Sequence, residues 1–192
     1  MSIVKKVLSY LIKTCQTLHP DYFMIPGHGE TTTLYFAVAL DAPIYAIKML
    51  VQCDVRQIVH VVNFSDAETS DADFESMDDD TPLHAEISGQ CRLDVIKLLV
   101  NACCEVLQTK SLDGLTPLHF AVKIKRPFDI IEYLVSKDSS VLLVDTTLKC
   151  ENDEESDGRT PLVIGISVCP SVNILKLLVD ADLFEGVYYQ LR

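Results

Sequence analysis

The sequence is most informative at first through what it lacks. No apolar run reaches the 18 or so residues that a membrane-crossing helix needs, which leans against a membrane protein. Met1 to Tyr10 carries neither a continuous apolar core nor a small-residue cleavage site, which argues against a secretory signal. The seven cysteines are odd in number and scattered, with no C-x-x-C and no paired Cys/His spacing. That usage predicts reduced thiols and a cytoplasmic or nuclear protein rather than a disulfide framework. A wholly disordered chain is excluded as well, because 48% of the residues are apolar and only 23% charged.

Bases are missing from two short stretches. Asp66 to Asp80 holds eight acids and Glu151 to Asp157 five more, with no Lys or Arg in either. Subtracting these 13 from the 28 acids leaves 15 against 16 bases, so the formal charge of −12 belongs to the two stretches and the rest is close to neutral. Acidic stretches repel polyanions, which disfavours nucleic acid as a partner. Within the first stretch Ser65, Ser70 and Ser76 each have an acid three residues on (Glu68, Asp73 and Asp79), the spacing that acidophilic kinases favour. They are candidate phosphorylation sites, where a phosphate would add charge to an already negative segment.

Sets of residues that carry chemistry are also wanting. His19, His28 and His60 share no helix face with one another, and no metal-ligand spacing appears. Gly27-His28-Gly29 is too short for a phosphate loop and no Lys follows it. Cys103-Cys104 stands at a predicted helix end and reads as structural. The expectation is a non-enzymatic protein with no catalytic residue, no metal and no cofactor.

What the chain does have is an internal repeat. An aliphatic helical stripe recurs five times, at Val7–Cys15, Ala46–Asp54, Val95–Cys103, Ile130–Asp138 and Ile174–Asp182. Four of these stripes follow a second motif: TTLYFAV from Thr32, TPLHAEI from Thr81, TPLHFAV from Thr116 and TPLVIGI from Thr160. From each leading Thr to the second aliphatic of the stripe is 15 residues every time, ending at Ile47, Ile96, Ile131 and Leu175. Pro82, Pro117 and Pro161 suit a first helical turn, where a missing N–H leaves no bond unmade.

On the intact T-P-L-H at Thr81–His84 and Thr116–His119, the second preceded by Asp113-Gly114, the chain resembles the ankyrin-repeat family. The resemblance implies an all-α solenoid of stacked helix-turn-helix units joined by hairpin loops, in which the Thr hydroxyl and His imidazole bond to backbone. The expected organisation is an N-terminal capping helix and linker over 1–27 and an ankyrin domain over 28–192. Repeats are expected near 28–60, 78–110, 113–145 and 157–188, with two long acidic insertions. Small residues at Ala37, Ala121 and Gly165 would let the paired helices approach closely.

Several departures from the family pattern stand out. The leading threonines lie 49, 35 and 44 residues apart, against about 33 in the family, and every loop between paired helices has one extra residue. Asp54, Cys103, Asp138 and Asp182 replace the Gly that ends the second helix, and each is expected to adopt the left-handed conformation at a cost of about 0.5–1 kcal/mol. Glu86 stands where the family buries Ala, so either the helix rotates locally or Arg92 or another base reaches it.

The resemblance also implies a function. Family members bind protein partners on a concave surface made of hairpin tips and the exposed side of the first helices. Carried over by position, the partner-binding candidates are Asp80, Gln90, Arg92, Lys110, Leu112, Asp113, Leu115, Lys123, Lys125, Arg126 and Arg159, with Leu112 and Leu115 as apolar anchors. The acidic balance and the L-H-F-A-V-K…P-F-D-I-I-E run are similar to those of inhibitors of Rel-type transcription factors, which implies a regulatory or inhibitory role toward a partner with a basic segment. The alternative is a scaffold or substrate-receptor piece of a larger assembly, such as a ubiquitin-ligase adaptor. A monomer without membrane attachment is expected.

Overall fold

The computed structural model describes residues 32–61, 81–111, 113–146, 159–168 and 171–190, with side chains described as far as Ala181. The capping helix expected before residue 28, the two acidic stretches, Asp80, Leu112 and the three candidate serines lie outside the described residues. All regular secondary structure described is helical. The helices pair as α1 (Thr33–Ala39) with α2 (Ile44–Cys53), α3 (Pro82–Ser88) with α4 (Leu93–Ala102), α5 (Pro117–Lys123) with α6 (Phe128–Lys137), and α7 (Pro161–Val168) with α8 (Val172–Gln190). The short first helices α1, α3, α5 and α7 pack on one another in chain order.

Each first helix starts in the same way. The hydroxyl of the leading Thr accepts the N–H three residues on: Tyr35 to Thr32 at 3.2 Å, His84 to Thr81 at 3.4 Å, His119 to Thr116 at 3.5 Å and Val163 to Thr160 at 3.5 Å. Such a cap satisfies one of the N–H groups that a helix start leaves open, and is worth about 1 kcal/mol. Between the helix layers, equivalent positions fill the core: Leu34, Leu83 and Leu118; Ile47, Ile96 and Ile131; Leu50, Leu99, Leu134 and Leu178. Each such side chain removed from water contributes about 1.5–3 kcal/mol. A Cβ added to Gly165 would meet Leu178 Cδ1 of the paired helix at 3.1 Å, so the close approach expected of this small residue is present.

The second helices end differently from the expectation. Asp54, Cys103 and Asp138 are not left-handed; all three are extended, with φ between −150 and −154°. A 3₁₀ turn follows in each case, at Val55–Ile58, Cys104–Leu107 and Ser139–Leu143. The acids cap it, Asp54 Oδ1 accepting from Arg56 N at 3.1 Å and Asp138 Oδ1 from Ser140 N at 3.0 Å. An extended residue has no need of glycine, and the expected penalty disappears. At the fourth unit no helix end occurs at Asp182, because α8 continues to Gln190.

The left-handed residues are instead Asp41, Cys91 and Lys125, at φ of 56, 58 and 59°. They sit in the loops between paired helices, where the extra residue of each unit is used. There the first helix closes with a bond from the N–H five residues on: Ala42 to Ala37, Cys91 to Glu86 and Arg126 to Ala121. In the first and third units the left-handed residue precedes the donor, the usual pattern of a helix terminus closed by such a residue, whereas in the second the donor Cys91 is itself left-handed.

Candidate protein-interaction surface

The two histidines build the joints between units. In the second unit Thr81 Oγ1 lies 2.8 Å from His84 Nδ1, and His84 Nε2 lies 3.0 Å from the carbonyl oxygen of Leu115 in the third. The third unit repeats this with Thr116, His119 and the carbonyl of Arg159, at 2.7 and 3.0 Å. Since a carbonyl accepts only, Nε2 carries the proton, and Nδ1 accepts from the Thr hydroxyl. Burial depresses both imidazoles from 6.5 to about 4. They are neutral structural groups at physiological pH.

The carbonyls that they reach belong to hairpin bases of one design. In the short hairpin Ser111 N donates to Leu115 O at 2.9 Å and Leu115 N to Ser111 Oγ at 3.3 Å, with Gly114 at φ 70° in the turn. In the long one Thr146 N donates to Arg159 O at 3.1 Å and Arg159 N to Thr146 Oγ1 at 3.1 Å. The acidic residues 151–157 fall between the two halves of that second base in sequence.

Two arginines build the other end of the joints. Each directly follows a left-handed residue and reaches back to the loop of the unit before. Arg92 Nη1 donates to Ala42 O at 2.9 Å and pairs with Asp41 at 2.6 Å. Its Nε and Nη2 fork onto Glu86 at 3.0 and 2.8 Å, and its backbone N–H reaches the same carboxylate at 2.7 Å. Glu86 is 1% exposed, so the sequence alternative in which a base reaches it is the one realised. Arg126 Nη2 donates to the carbonyls of Ser88 and Gly89.

The nine described candidates therefore fall at two ends of the first helices. Lys110, Asp113, Leu115 and Arg159 lie at the hairpin end of the first helices. Gln90, Arg92, Lys123, Lys125 and Arg126 lie at the opposite end, about 10 Å away for a seven-residue helix at 1.5 Å per residue. Leu115 is corrected outright: at 1% exposure it is core and offers no anchor to a partner. The reason is its place beside the leading Thr, where the hairpin base and His84 fix it. Arg92 and Arg126 are corrected in role, since their guanidinium groups join consecutive units. Lys110 is half-buried, and its ammonium donates to Asp145 O at 2.7 Å. Gln90, Asp113, Lys123 and Lys125 are exposed.

Sequence reasoning missed the apolar residues between those lysines and on the first unit's loop. Leu40 and Ile124 hold the same place in their units, just before the left-handed residue, and are 69% and 37% exposed. Their common distance from the leading Thr was the available signal. Among the described residues no disulfide joins Cys53, Cys91, Cys103 and Cys104, and no group of three or more His, Cys, Asp or Glu side chains is placed to hold a metal. No described helix is long and apolar enough to cross a membrane.

Capped helix pairs, stacked through histidine and arginine joints, define a helical repeat protein. The sequence matches the family described as ankyrin repeats, in three copies, over residues 34–145. That match covers more than half of the chain, and the protein belongs to the ankyrin-repeat family. The fourth pair, α7 with α8, lies beyond the match and repeats the Thr cap and the helix pairing. No curated protein matches the sequence. Ankyrin repeats make it a protein-interaction module.

Proposed function

We propose that this is a non-enzymatic regulatory protein of the cytoplasm or nucleus, which binds its partner on the concave side of the ankyrin stack. The observation that carries this reading is the exposed run Lys123-Ile124-Lys125 on the third unit, with the exposed Gln90 in the place of Lys125 on the second. It combines an apolar residue with two cations that the scaffold does not use, whereas the neighbouring arginines are committed to the joints. A partner fits here with an apolar side chain framed by carboxylates. The basic partner segment expected from the sequence belongs to the acidic stretches, and one partner with both features would engage both.

Affinity capture from native cells with mass spectrometry, followed by titration of the partner against Lys123→Glu/Lys125→Glu, tests the reading. The double reversal is expected to weaken binding at least tenfold while leaving urea unfolding unchanged, because rim charges act on association more than on folding. Undiminished binding would place the contact elsewhere. Recovery of ligase subunits in place of a single regulated protein would favour the adaptor.

A further inference from the structure

The row of second helices departs from its own repeat at one joint. Met49, Leu98 and Leu177 hold equivalent places in the first, second and fourth units, where the third has Tyr133. Cys53, Ala102 and Ala181 stand where the third has Lys137. Tyr133 is half-buried, and two ammonium groups lie against its ring. Lys137 Nζ, from the same helix, is 5.4 Å from the ring centroid, and Lys97 Nζ, from α4, is 5.5 Å away. The Tyr133 hydroxyl donates to Asn101 Oδ1 of α4 at 3.5 Å. Lys97 and Asn101 are four residues apart on α4, as Tyr133 and Lys137 are on α6, so the four side chains form one cluster across the joint.

The scaffold does not use these charges. Among the described residues no carboxylate pairs with Lys97 or Lys137, although Asp94, Glu132 and Asp138 are near them in sequence. Asp138 is held instead by Gln108 Nε2 at 2.7 Å and Ser140 Oγ at 2.6 Å. A lysine in the last turn complements the helix dipole, which accounts in part for Lys137. It accounts neither for Lys97 in mid-helix nor for the ring that gathers both. Cation–π contact holds the two ammonium groups near one place before any ligand arrives, so less side-chain freedom is lost on binding. With Asn101 Oδ1 taken by the hydroxyl, the amide N–H groups of Asn101 add a further donor. Two cations and an amide donor select an anion.

We propose that Lys97, Asn101, Tyr133 and Lys137 form an anion-binding site on the second helices, which takes the carboxylates of an acidic segment in a protein partner. A nucleic acid or an anionic membrane does not fit, because a chain of formal charge −12 repels an extended anionic surface. A short acidic segment meets only the local cations, since charges beyond about 10 Å are screened at physiological salt. The site lies apart from the loop run Lys123-Ile124-Lys125 and goes beyond the reading of that run.

Titration of the isotopically labelled full chain with a hexaglutamate peptide, followed by chemical shifts, tests the site. Saturable shifts are expected at Lys97, Asn101, Tyr133 and Lys137, and they should weaken as salt is raised, because exposed pairs are screened. Lys97→Glu/Lys137→Glu should weaken binding at least tenfold, and Tyr133→Leu several-fold by releasing the two cations. Neither puts folding at stake, because both lysines are exposed and Leu98 and Leu177 already hold the place of Tyr133. Lys48→Glu, at the equivalent of Lys97 in the first unit, should leave binding unchanged. Lys123→Glu/Lys125→Glu should do the same, so that failure of the loop surface is told apart from failure of this site. The absence of saturable shifts at the four residues overturns the proposal, as does binding indifferent to either Lys97→Glu/Lys137→Glu or Tyr133→Leu. Shifts centred on Lys123 and Lys125 alone would place the anion on the loop and overturn it as well.

Discussion

The second and third units share T-P-L-H, the Thr cap and a buried histidine, yet they close their first helices by different means. In the third, Ala121 is the small residue that the tight helix pair accommodates, and the left-handed residue is Lys125, nine places after Thr116. In the second, Glu86 takes the place of Ala121, and the left-handed residue moves one place later to Cys91. That shift carries the backbone N–H of Arg92 onto the carboxylate, and its guanidinium follows. A buried carboxylate is admitted into a repeat when the loop supplies both a backbone donor and a fork of charge-assisted bonds. The difference teaches that the loop, more than the helix, is adjustable in this array.

Acid is the strongest way to erase the likeness of the two units. His84 and His119 are neutral in the fold with pKa values of about 4, against 6.5 for a free imidazole. The unfolded chain takes up protons first, so this contribution is complete above pH 6.5 and is lost as pH falls toward 4. A tenfold difference in proton affinity between the folded and unfolded chain is worth about 1.4 kcal/mol, so each histidine accounts for roughly 3 kcal/mol. Urea midpoints between pH 7 and 4 should drop steeply, and His119→Gln should flatten the profile.

Breaking the ion pair from either side sharpens the contrast between the units. Arg92→Ala leaves Glu86 buried without its fork and should destabilise by about 3 kcal/mol in urea unfolding at neutral pH. Glu86→Ala leaves the arginine partly exposed and still beside Asp41, and should destabilise by only about 1–2 kcal/mol. Equal effects would mean that the two groups are equally solvated.

Two smaller changes probe the close helix pairing and the loop conformation. Gly165→Ala places a methyl 3.1 Å from Leu178 Cδ1, and overpacking of this sort should lower stability by about 1–2 kcal/mol in thermal or urea unfolding. Lys125→Gly relieves a left-handed residue and should raise stability by about 0.5 kcal/mol, because the exposed lysine is not part of a joint. A loss at Lys125→Gly would show that its side chain supports the loop.

The fold was legible in the sequence because the leading threonines, the prolines and the aliphatic stripes keep one offset, and that offset is the geometry of a capped helix pair. Glu86 could be flagged by register alone, but its partner could not be chosen, since the choice depends on where a one-residue insertion places the left-handed turn. For the same reason the left-handed residues were expected at Asp54, Cys103 and Asp138, where a switch to extended backbone ends the helix, instead of at Asp41, Cys91 and Lys125. The interaction surface was less legible still. Leu115 and the two arginines look like surface residues in a string of letters, and only packing shows that the hairpin base and the joints between units have taken them.

A double-mutant cycle across Glu86 and Arg92, measured by urea unfolding at neutral pH, tests the central claim that this pair closes the second unit and ties it to the first. The account predicts that Glu86→Ala/Arg92→Ala is no less stable than Arg92→Ala alone, with a coupling of about 2 kcal/mol, because removing the carboxylate cancels the penalty of stranding it. Additive losses in the double variant would contradict it.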